Sequence, residues 1–277
     1  MLRSQLLKKQ RPNQLKFCEP VIPPIFVDIM YKVHNSAMEE LARPNINTTP
    51  VELMPDFQFA LSVDCVIFGY DEGVLKVLLI ESDLPAYKGQ WSLLGDLLRP
   101  DEDLEEASYR VLRERTGLTD MFLEQVKTFG AVNRHPAGRV LTTAYIALVN
   151  VKDYQLKKKE NALQWKPVSE IQAMAFDHRL ILDTSLTVLQ RKIQEEPIIF
   201  NLLEKKFSLR DLQHVFEQIL GVEFDRRNFR KKLFTTGLLM DENEMEQQVR
   251  HRPGRLYSFN QKAYEQIKRK TFVGLQF

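Results

Sequence analysis

GDLLRPDEDLEEASYRVLRERTGL, residues Gly95–Leu118, joins a short strand to a helix whose two ends are both marked. The strand is WSLLG, Trp91–Gly95, and Arg99–Glu102 is a loop, because proline among clustered polar residues interrupts regular structure. Leu104, Ala107, Val111 and Leu112 recur at helical spacing and predict a helix over 104–116. Asp101 or Asp103 can cap its start, and Gly117 supplies the left-handed stop. Val111 and Arg115 lie four apart and are expected on one face. Arg110 and Glu114 are also four apart; as an exposed helix pair they would contribute only about 0.3–0.5 kcal/mol. By themselves Glu102, Glu105, Glu106 and Glu114 would be no more than a solvated acidic face.

Upstream, FQFALSVDCVIFGY and VLKVLLIE, separated by the turn residues DEG, form a predicted β-hairpin starting at Phe57. Ser82–Gln90 is a loop with Pro85 and Gly89. Downstream, VKTFGAV and VLTTAYIALVNV are strand candidates joined by NRHPAGR, and ALQWKPVSEI is a strand leading to a turn. Asp177–Ile193 is a predicted helix with Ile181, Leu182, Leu186, Leu189 and Ile193 on one side. Strands mixed with flanking helices predict an α+β chain with a mixed sheet in an α/β/α sandwich. Residues 1–16 carry five basic residues and no acid, and 17–56 are rich in Pro and Asn, so 1–56 is expected to be a mobile extension.

A second unit begins after Glu195-Glu196-Pro197, dividing the chain into 57–197 and 198–277. Ser208 and Asp211 form a capping box for a helix carrying Leu209, Leu212, Phe216, Ile219 and Leu220, stopped by Gly221. Asp225 caps a second helix, RRNFRKKLFTT, whose buried stripe is expected to be Phe229, Leu233 and Phe234. LLM and RLYSF flank a polar loop over 241–254, a hairpin with a long tip, and Asn260 can cap a last helix, QKAYEQIKRK. Helix, turn, helix, hairpin is the order of a winged helix-turn-helix.

Of the 277 residues, 44% are hydrophobic and 27% charged, values typical of globular domains. No apolar run approaches the ~20 residues that span a bilayer, so no membrane partner is expected. MLRSQLLKKQRPNQ has positive charge but no apolar segment behind it, and is a poor secretory signal. Two cysteines, Cys18 and Cys65, make neither a disulfide framework nor a zinc site and fit a reducing cytoplasm. Residues 198–277 hold 15 Lys/Arg against 10 Asp/Glu, a net +5, leaving the remainder at −3 within the total of +2. A basic C-terminal unit beside a mildly acidic body points to a polyanion partner for the smaller part.

The first stretch resembles the Nudix box, a signature of Gly, then Glu, then Arg-Glu, an aliphatic residue, Glu-Glu and Gly. On this chain Gly95-Asp96 stands for the opening Gly-Gly, and Glu102, Arg110, Leu112, Glu114, Gly117 and Leu118 are retained. Val111 and Arg115 replace two glutamates, positions that in active members of the family contribute to metal binding or base catalysis. Where Mg²⁺ would need oxygen anions the chain offers a valine and a cation. The resemblance therefore implies Nudix ancestry with no metal, no cofactor and no catalytic residue. FSLRDLQHVFEQILGVEFDRRNFRKKLFTTGLL followed by HRPGRLYSF is similar to the C-terminal domain of the Nudix-related transcriptional regulators. FGAVNRHPAGRVLTTAYIALV and AFDHRLIL are similar to that family's effector domain, so the resemblance covers about residues 57–277. Known members regulate NAD metabolism or sugar use, including arabinose, and the family's fold implies a homodimer on palindromic operator DNA.

On this reading Arg226, Arg227, Asn228, Arg230, Lys231 and Lys232 contact double-stranded DNA from the second helix, and His251, Arg252 and Arg255 from the wing. An effector, either a pentose or an ADP-ribose-like metabolite, is expected near the box helix and its neighbouring loops, with Trp91, Glu102, Arg110, Glu114, Arg134, His135 and Arg139 as its candidate contacts. Core packing for Trp91, a structural neutral His135 and a solvent-facing hairpin for NRHPAGR stand beside that assignment. Loss of the second glycine and of two carboxylates leans toward a neutral sugar. The leading reading is a ligand-responsive regulator, probed by the salt dependence of duplex binding. The alternative is a metal-dependent hydrolase of ADP-ribose or a related nucleoside diphosphate, with Glu102 and Glu114 reorganised around the metal. A third is a module whose basic helix meets RNA or an acidic protein.

Overall fold

The computed structural model of the chain describes residues 59–118, 123–153, 163–247 and 252–268. The expected extension over 1–56 lies outside them, as does His251. Strands β1 (Ala60–Asp71) and β2 (Val74–Glu81) pair antiparallel from Phe68↔Val77 to Asp71↔Val74. Their turn places Glu72 and Gly73 at φ 51° and 81°, the two positive values of a hairpin turn whose twist matches its strands. β1 is longer than its partner, so the N-terminal half of the same edge is free for another strand. The segment Trp91–Gly95, expected as one strand, fills it by splitting in two. β3 (Trp91–Ser92) pairs with Ile80 and Glu81 at the end of β2, and β4 (Leu94–Leu97) pairs with Ser62–Cys65 of β1. Between them the Leu93 N–H leaves the ladder and donates to the His178 ring.

Helix α1 (Leu104–Thr116) has the predicted limits. Asp103, not Asp101, caps it: its carboxylate accepts from the Glu106 N–H while Glu106 reaches back to the Asp103 N–H, a reciprocal capping box. Strands β5 (Glu124–Phe129), β6 (Val140–Asn150) and β7 (Gln164–Pro167) follow, then helix α2 (His178–Glu195). The sheet runs β3-β2-β1-β6-β5, with β4 on β1 and β7 on β2. β1 and β6 are parallel and central, the other pairs antiparallel. Alternation along β1 and β6 divides the core. Val63, Cys65, Ile67, Tyr145 and Ala147 face α1 through Ala107, Val111 and Leu112. Val66, Phe68, Ala144 and Ile146 face α2 through Ile181, Leu182, Leu189 and Ile193. Both faces are covered, which is why these two strands are apolar almost throughout.

Past a 3-10 turn at Pro197–Leu202 come β8 (Phe207–Ser208), α3 (Leu209–Leu220), α4 (Arg226–Thr235), β9 (Leu239–Met245), β10 (Arg255–Phe259) and α5 (Gln261–Lys268). β8, β10 and β9 make a second, three-stranded antiparallel sheet. Ser208 and Asp211 form the predicted capping box of α3, Gly221 its left-handed stop, and Asn260 accepts from the Ala263 N–H at the start of α5. The α3–α4 turn is held by Glu217, whose carboxylate accepts from the Phe224 N–H and from Gln213. Phe229 then packs edge-on against Phe216.

Two expectations for this unit are corrected. Residues 241–245, expected in a polar loop, belong to β9. Their charges suit an edge strand because they meet partners across the sheet: Asp241 pairs with Arg255 at 2.6 Å and Glu244 with Lys206 at 2.7 Å. Phe234, expected in the buried stripe of α4, is 50% exposed, because it sits five residues from Phe229, beyond the arc that one helix face covers. Its ring meets Tyr257 of β10 edge-on. Leu212, Val215, Phe216, Phe229 and Leu233 share one apolar cluster with the α2 face of the first sheet, so the core runs without a break between the two sheets. Among the described residues, no helix is long and apolar enough to cross a membrane.

Candidate functional site

Two groups of charged side chains stand out, one inside the first sheet's loops and one on α4. Arg110 is the centre of the first. Its side chain is only 5% exposed. Nε and Nη2 donate to the two oxygens of Glu102 at 2.7 and 2.6 Å, Nη1 to Asp96 at 2.8 Å and Nη2 to the Leu97 carbonyl at 2.9 Å. The expected pair with Glu114 is the weakest of these, at 3.5 Å, and Glu114 is shared with Arg99. The helix pair is present and weak, as expected. Glu102, in the loop before α1, meets Nε and Nη2 with both of its oxygens, whereas Glu114 on the same helix reaches only Nη1. Asp96, at the place of the box's second glycine, becomes another anchor of the same arginine. Arg110 holds the Glu102 carboxyl down to about 2, and the neighbouring Arg99 N–H, which also donates to it, adds to this.

Val111 and Arg115, expected on one face, are separated by burial: Val111 is 1% exposed in the α1-side core and Arg115 is exposed in the last turn. A four-residue step turns a helix about 40° past a full circle, enough at this edge to bring the second side chain out of the core. These residues do not fit a divalent cation. Glu102 and Asp96 are committed to Arg110, Val111 offers no oxygen, and Arg115 brings like charge. Among the described residues, no three His, Cys, Asp or Glu side chains are placed to hold a metal.

Behind the box lies a buried polar cluster that the spacing of the box does not indicate. Asp64, on β1, is 5% exposed and accepts from Thr142 Oγ1 at 2.8 Å. Arg134 approaches it at 3.5 Å and donates to both oxygens of Asp177, at 3.0 and 2.8 Å. His178 completes the group: Nδ1 accepts from the Leu93 N–H at 2.9 Å, which leaves the proton on Nε2, 3.5 Å from Asp64. Burial lowers the pKa of this imidazole and keeps it neutral. Gly95 is required here by space alone, since a Cβ would fall 2.2 Å from Asp64 Oδ1 and 2.8 Å from the Val63 carbonyl.

The expected effector residues are thus distributed. Glu102, Arg110 and Glu114 come together in the box. Arg134 is not presented to a ligand, because its fork is used by Asp177. His135 stacks on Phe176 at 5.0 Å, and burial lowers its pKa. Trp91 is half-buried against the core with Lys166 over its ring at 4.5 Å. Arg139 donates to the Gly130 carbonyl and lies 5.6 Å from the Phe59 ring. Sequence reasoning missed Asp64, Asp177 and His178. The available signal was a lone carboxylate in the apolar run LSVDCVIF and Asp-His opening a helix.

On α4, Arg226, Arg227, Asn228, Arg230, Lys231 and Lys232 are all exposed, and Phe229 and Leu233 are buried. None of the five cations forms an ion pair among the described residues. Of the wing residues, Arg252 is exposed, and Arg255 is paired with Asp241.

Comparison with known proteins follows this division. Residues 58–184 match the NUDIX domain family, and residues 199–259 match the NrtR DNA-binding winged helix domain. An ADPR responsive transcriptional repressor, NtrR, of Acinetobacter baylyi is 31% identical over 211 residues, covering 74% of this chain and 84% of that protein. NrtR of Shewanella oneidensis, solved in complex with a 27mer DNA, superposes with a TM-score of 0.65 at 30% identity, covering 74% of this chain and 95% of that one. An ADP-ribose pyrophosphatase of Methanocaldococcus jannaschii is 29% identical over 125 residues, covering 44% of this chain and 70% of that protein.

Proposed function

Because the chain belongs to the NrtR family of Nudix-domain transcriptional regulators, we propose that it is a repressor that binds operator DNA through its winged helix and responds to an ADP-ribose-like metabolite. One observation carries this reading: α4 exposes five cations with no ion-pair partner among the described residues, in the same chain as a box whose central arginine binds Glu102 and Asp96. The first arrangement leaves charge for phosphates; the second leaves Glu114, held at 3.3–3.5 Å, as the signature's remaining carboxylate, fewer oxygen ligands than a divalent cation takes. The domain therefore binds its effector without hydrolysing it. Of the two effector classes, ADP-ribose is favoured over a neutral pentose by the name of the Acinetobacter relative, against the leaning drawn from the box alone. The protein acts as a homodimer, with two α4 helices entering successive major grooves about 34–36 Å apart. The units 57–197 and 198–277 divide the two tasks.

The test is a titration of the full chain against a duplex carrying its own upstream palindrome. Nanomolar affinity that weakens steeply with salt, and is reduced by ADP-ribose but not by arabinose, is the expected result. Release by arabinose alone would replace the effector class. Turnover of ADP-ribose with Mg²⁺ or Mn²⁺ that disappears in Glu114→Gln would overturn the non-hydrolytic reading.

A further inference from the structure

Arg134 is a guanidinium whose side chain is 2% exposed, bound at both ends of its fork to Asp177. It ties the 130–139 loop to the residue that opens α2. Asp177 stands at the N-cap position of α2, yet its side chain caps nothing, because Arg134 takes the carboxylate. One residue earlier, Phe176 has φ 54°, a left-handed conformation that a bulky side chain rarely adopts and that persists only where its surroundings enforce it. Here three rings enforce it, with centroids 4.4 Å away for Tyr87, 5.0 Å for His135 and 4.9 Å for His178. Two loops therefore close on one strained joint: the 83–90 loop through Tyr87 and the 130–139 loop through Arg134 and His135.

The helix that leaves this joint runs to the other unit. α2 has 18 residues and at about 1.5 Å per residue spans about 27 Å. Near its far end Gln190 Nε2 donates to the Ile219 carbonyl at 2.9 Å. That carbonyl is in the last turn of α3, where no intrahelical N–H remains to meet it. Leu189 and Ile193 share the apolar cluster that holds Phe216 of α3 and Phe229 of α4. α2 is thus a rigid element with a strained, ion-paired joint at one end and a hydrogen bond into the helix-turn-helix at the other.

We propose that the Phe176–Asp177–Arg134 joint is the coupling device of this protein: ligand contact with the 83–90 or 130–139 loops resets the joint, and α2 carries the change through Gln190 to the α3–α4 turn. This rests on the effector-responsive reading above. It assigns Arg134 a positioning role in place of direct ligand contact. It names the element whose arrangement both sites would bias, which is what allostery requires.

The test measures two affinities and their coupling in the full chain: operator duplex by fluorescence anisotropy, ADP-ribose by calorimetry, and operator affinity with ADP-ribose at saturation. In the wild type ADP-ribose is expected to weaken DNA binding by about tenfold or more. Asp177→Asn frees the joint and Gln190→Ala cuts the far end. Each is expected to keep both separate affinities within about threefold of wild type while its coupling ratio falls toward one. A ratio equal to wild type in both variants overturns the proposal. So do two affinities that fall together with the melting temperature, which would mark a merely structural role. If Asp177→Asn does not fold, Gln190→Ala decides alone, since it removes one hydrogen bond from a half-buried site. A wild type that binds DNA but not ADP-ribose removes the effector reading itself, and the coupling with it; a wild type that responds while the variants respond equally removes only the coupling.

Discussion

Helices α1 and α4 are both rich in arginine and both open on a capping aspartate, Asp103 and Asp225, yet they use their charge in opposite ways. In α1 the central arginine is buried and bonded to Glu102, Asp96 and the Leu97 carbonyl. Arg113 and Arg115 sit in its last turn, where positive charge offsets the helix dipole. In α4 the cations begin at the first residue, where the same dipole opposes them, and none of them is ion-paired among the described residues. A cation placed against the dipole and left without a partner contributes nothing to folding. It is available to an external anion, and a helix that exposes five unpaired cations among the described residues, Arg226 and Arg227 of them in its first turn, is shaped for a polyanion. Charge in α1 builds the protein; charge in α4 is the charge proposed for a partner.

The sharpest way to break this distinction is to remove the arginine assigned to structure. Arg110→Met keeps the chain length and leaves Glu102 and Asp96 facing a neutral side chain. Losing the hydrogen bonds of a buried arginine whose carboxylate partners reach solvent costs about 1–3 kcal/mol, and urea unfolding should show a loss in that range. A loss under about 1 kcal/mol would mean that the Arg110 network relaxes into solvent and that the box is less committed than its distances indicate.

Next in size is the charge assigned to the partner. Arg226→Ala with Arg230→Ala should leave the unfolding midpoint almost unchanged, since surface substitutions away from packed features stay within about 0.5 kcal/mol. Operator affinity should fall more than about tenfold, and the salt slope by about one for each phosphate contact removed. If stability fell instead and the slope did not, α4 would be a structural helix like α1.

How much of this contrast was legible in the sequence depends on which physical rule wrote it. The limits of α1 and the caps of α3 and α4 follow from local chemistry, an aspartate or serine before an apolar period and a glycine after it, and the structure places them as expected. Exposure of Arg226 to Lys232 also follows from the helical period once Phe229 and Leu233 are fixed inside. What was not legible is nonlocal. Asp177 finds Arg134 43 positions away, and Thr142 finds Asp64 across 78. Such pairings depend on strand order, which no local window contains. The same holds for Asp96: its substitution for a glycine looked like a loss until the fold brought it to Arg110. β9 was misjudged because its polar side chains are satisfied across the sheet by Lys206 and Arg255, again at a distance in sequence.

A smaller effect sharpens the α1 half of the comparison through pH. Arg110 and the Arg99 N–H hold Glu102 at about 2, against an ordinary 4.5. A depressed carboxylate contributes stability that is fully present above its unfolded pKa and is lost as pH falls through the folded one. The stability difference between wild type and Glu102→Gln should therefore be constant above about pH 5 and shrink as pH falls from about 4.5 toward 2. Thermal melts of the two proteins across that window give the answer. A difference that stays flat down to pH 2 would show that Glu102 acts through shape and not through charge.

The smallest effect lies where the two classes of charge meet, in the wing. Arg255 was expected on DNA, yet its Nη1 is 2.6 Å from Asp241 on the facing strand, with the two side chains 53% and 34% exposed. A pair so open to solvent contributes at most about 1 kcal/mol, so Arg255→Ala should barely change the unfolding midpoint. Its effect on operator affinity then reports whether the pair survives binding. If Asp241 keeps its partner, Arg255→Ala leaves the salt slope unchanged, and Asp241→Asn, by releasing the guanidinium and removing the anion beside it, should tighten binding a few-fold. If Arg255→Ala instead lowers the slope by about one, the arginine exchanges Asp241 for a phosphate on binding. The wing would then hold a third kind of charge, internally paired in the free protein and committed to the partner in the complex. The carboxylate left behind would set how readily the repressor lets go.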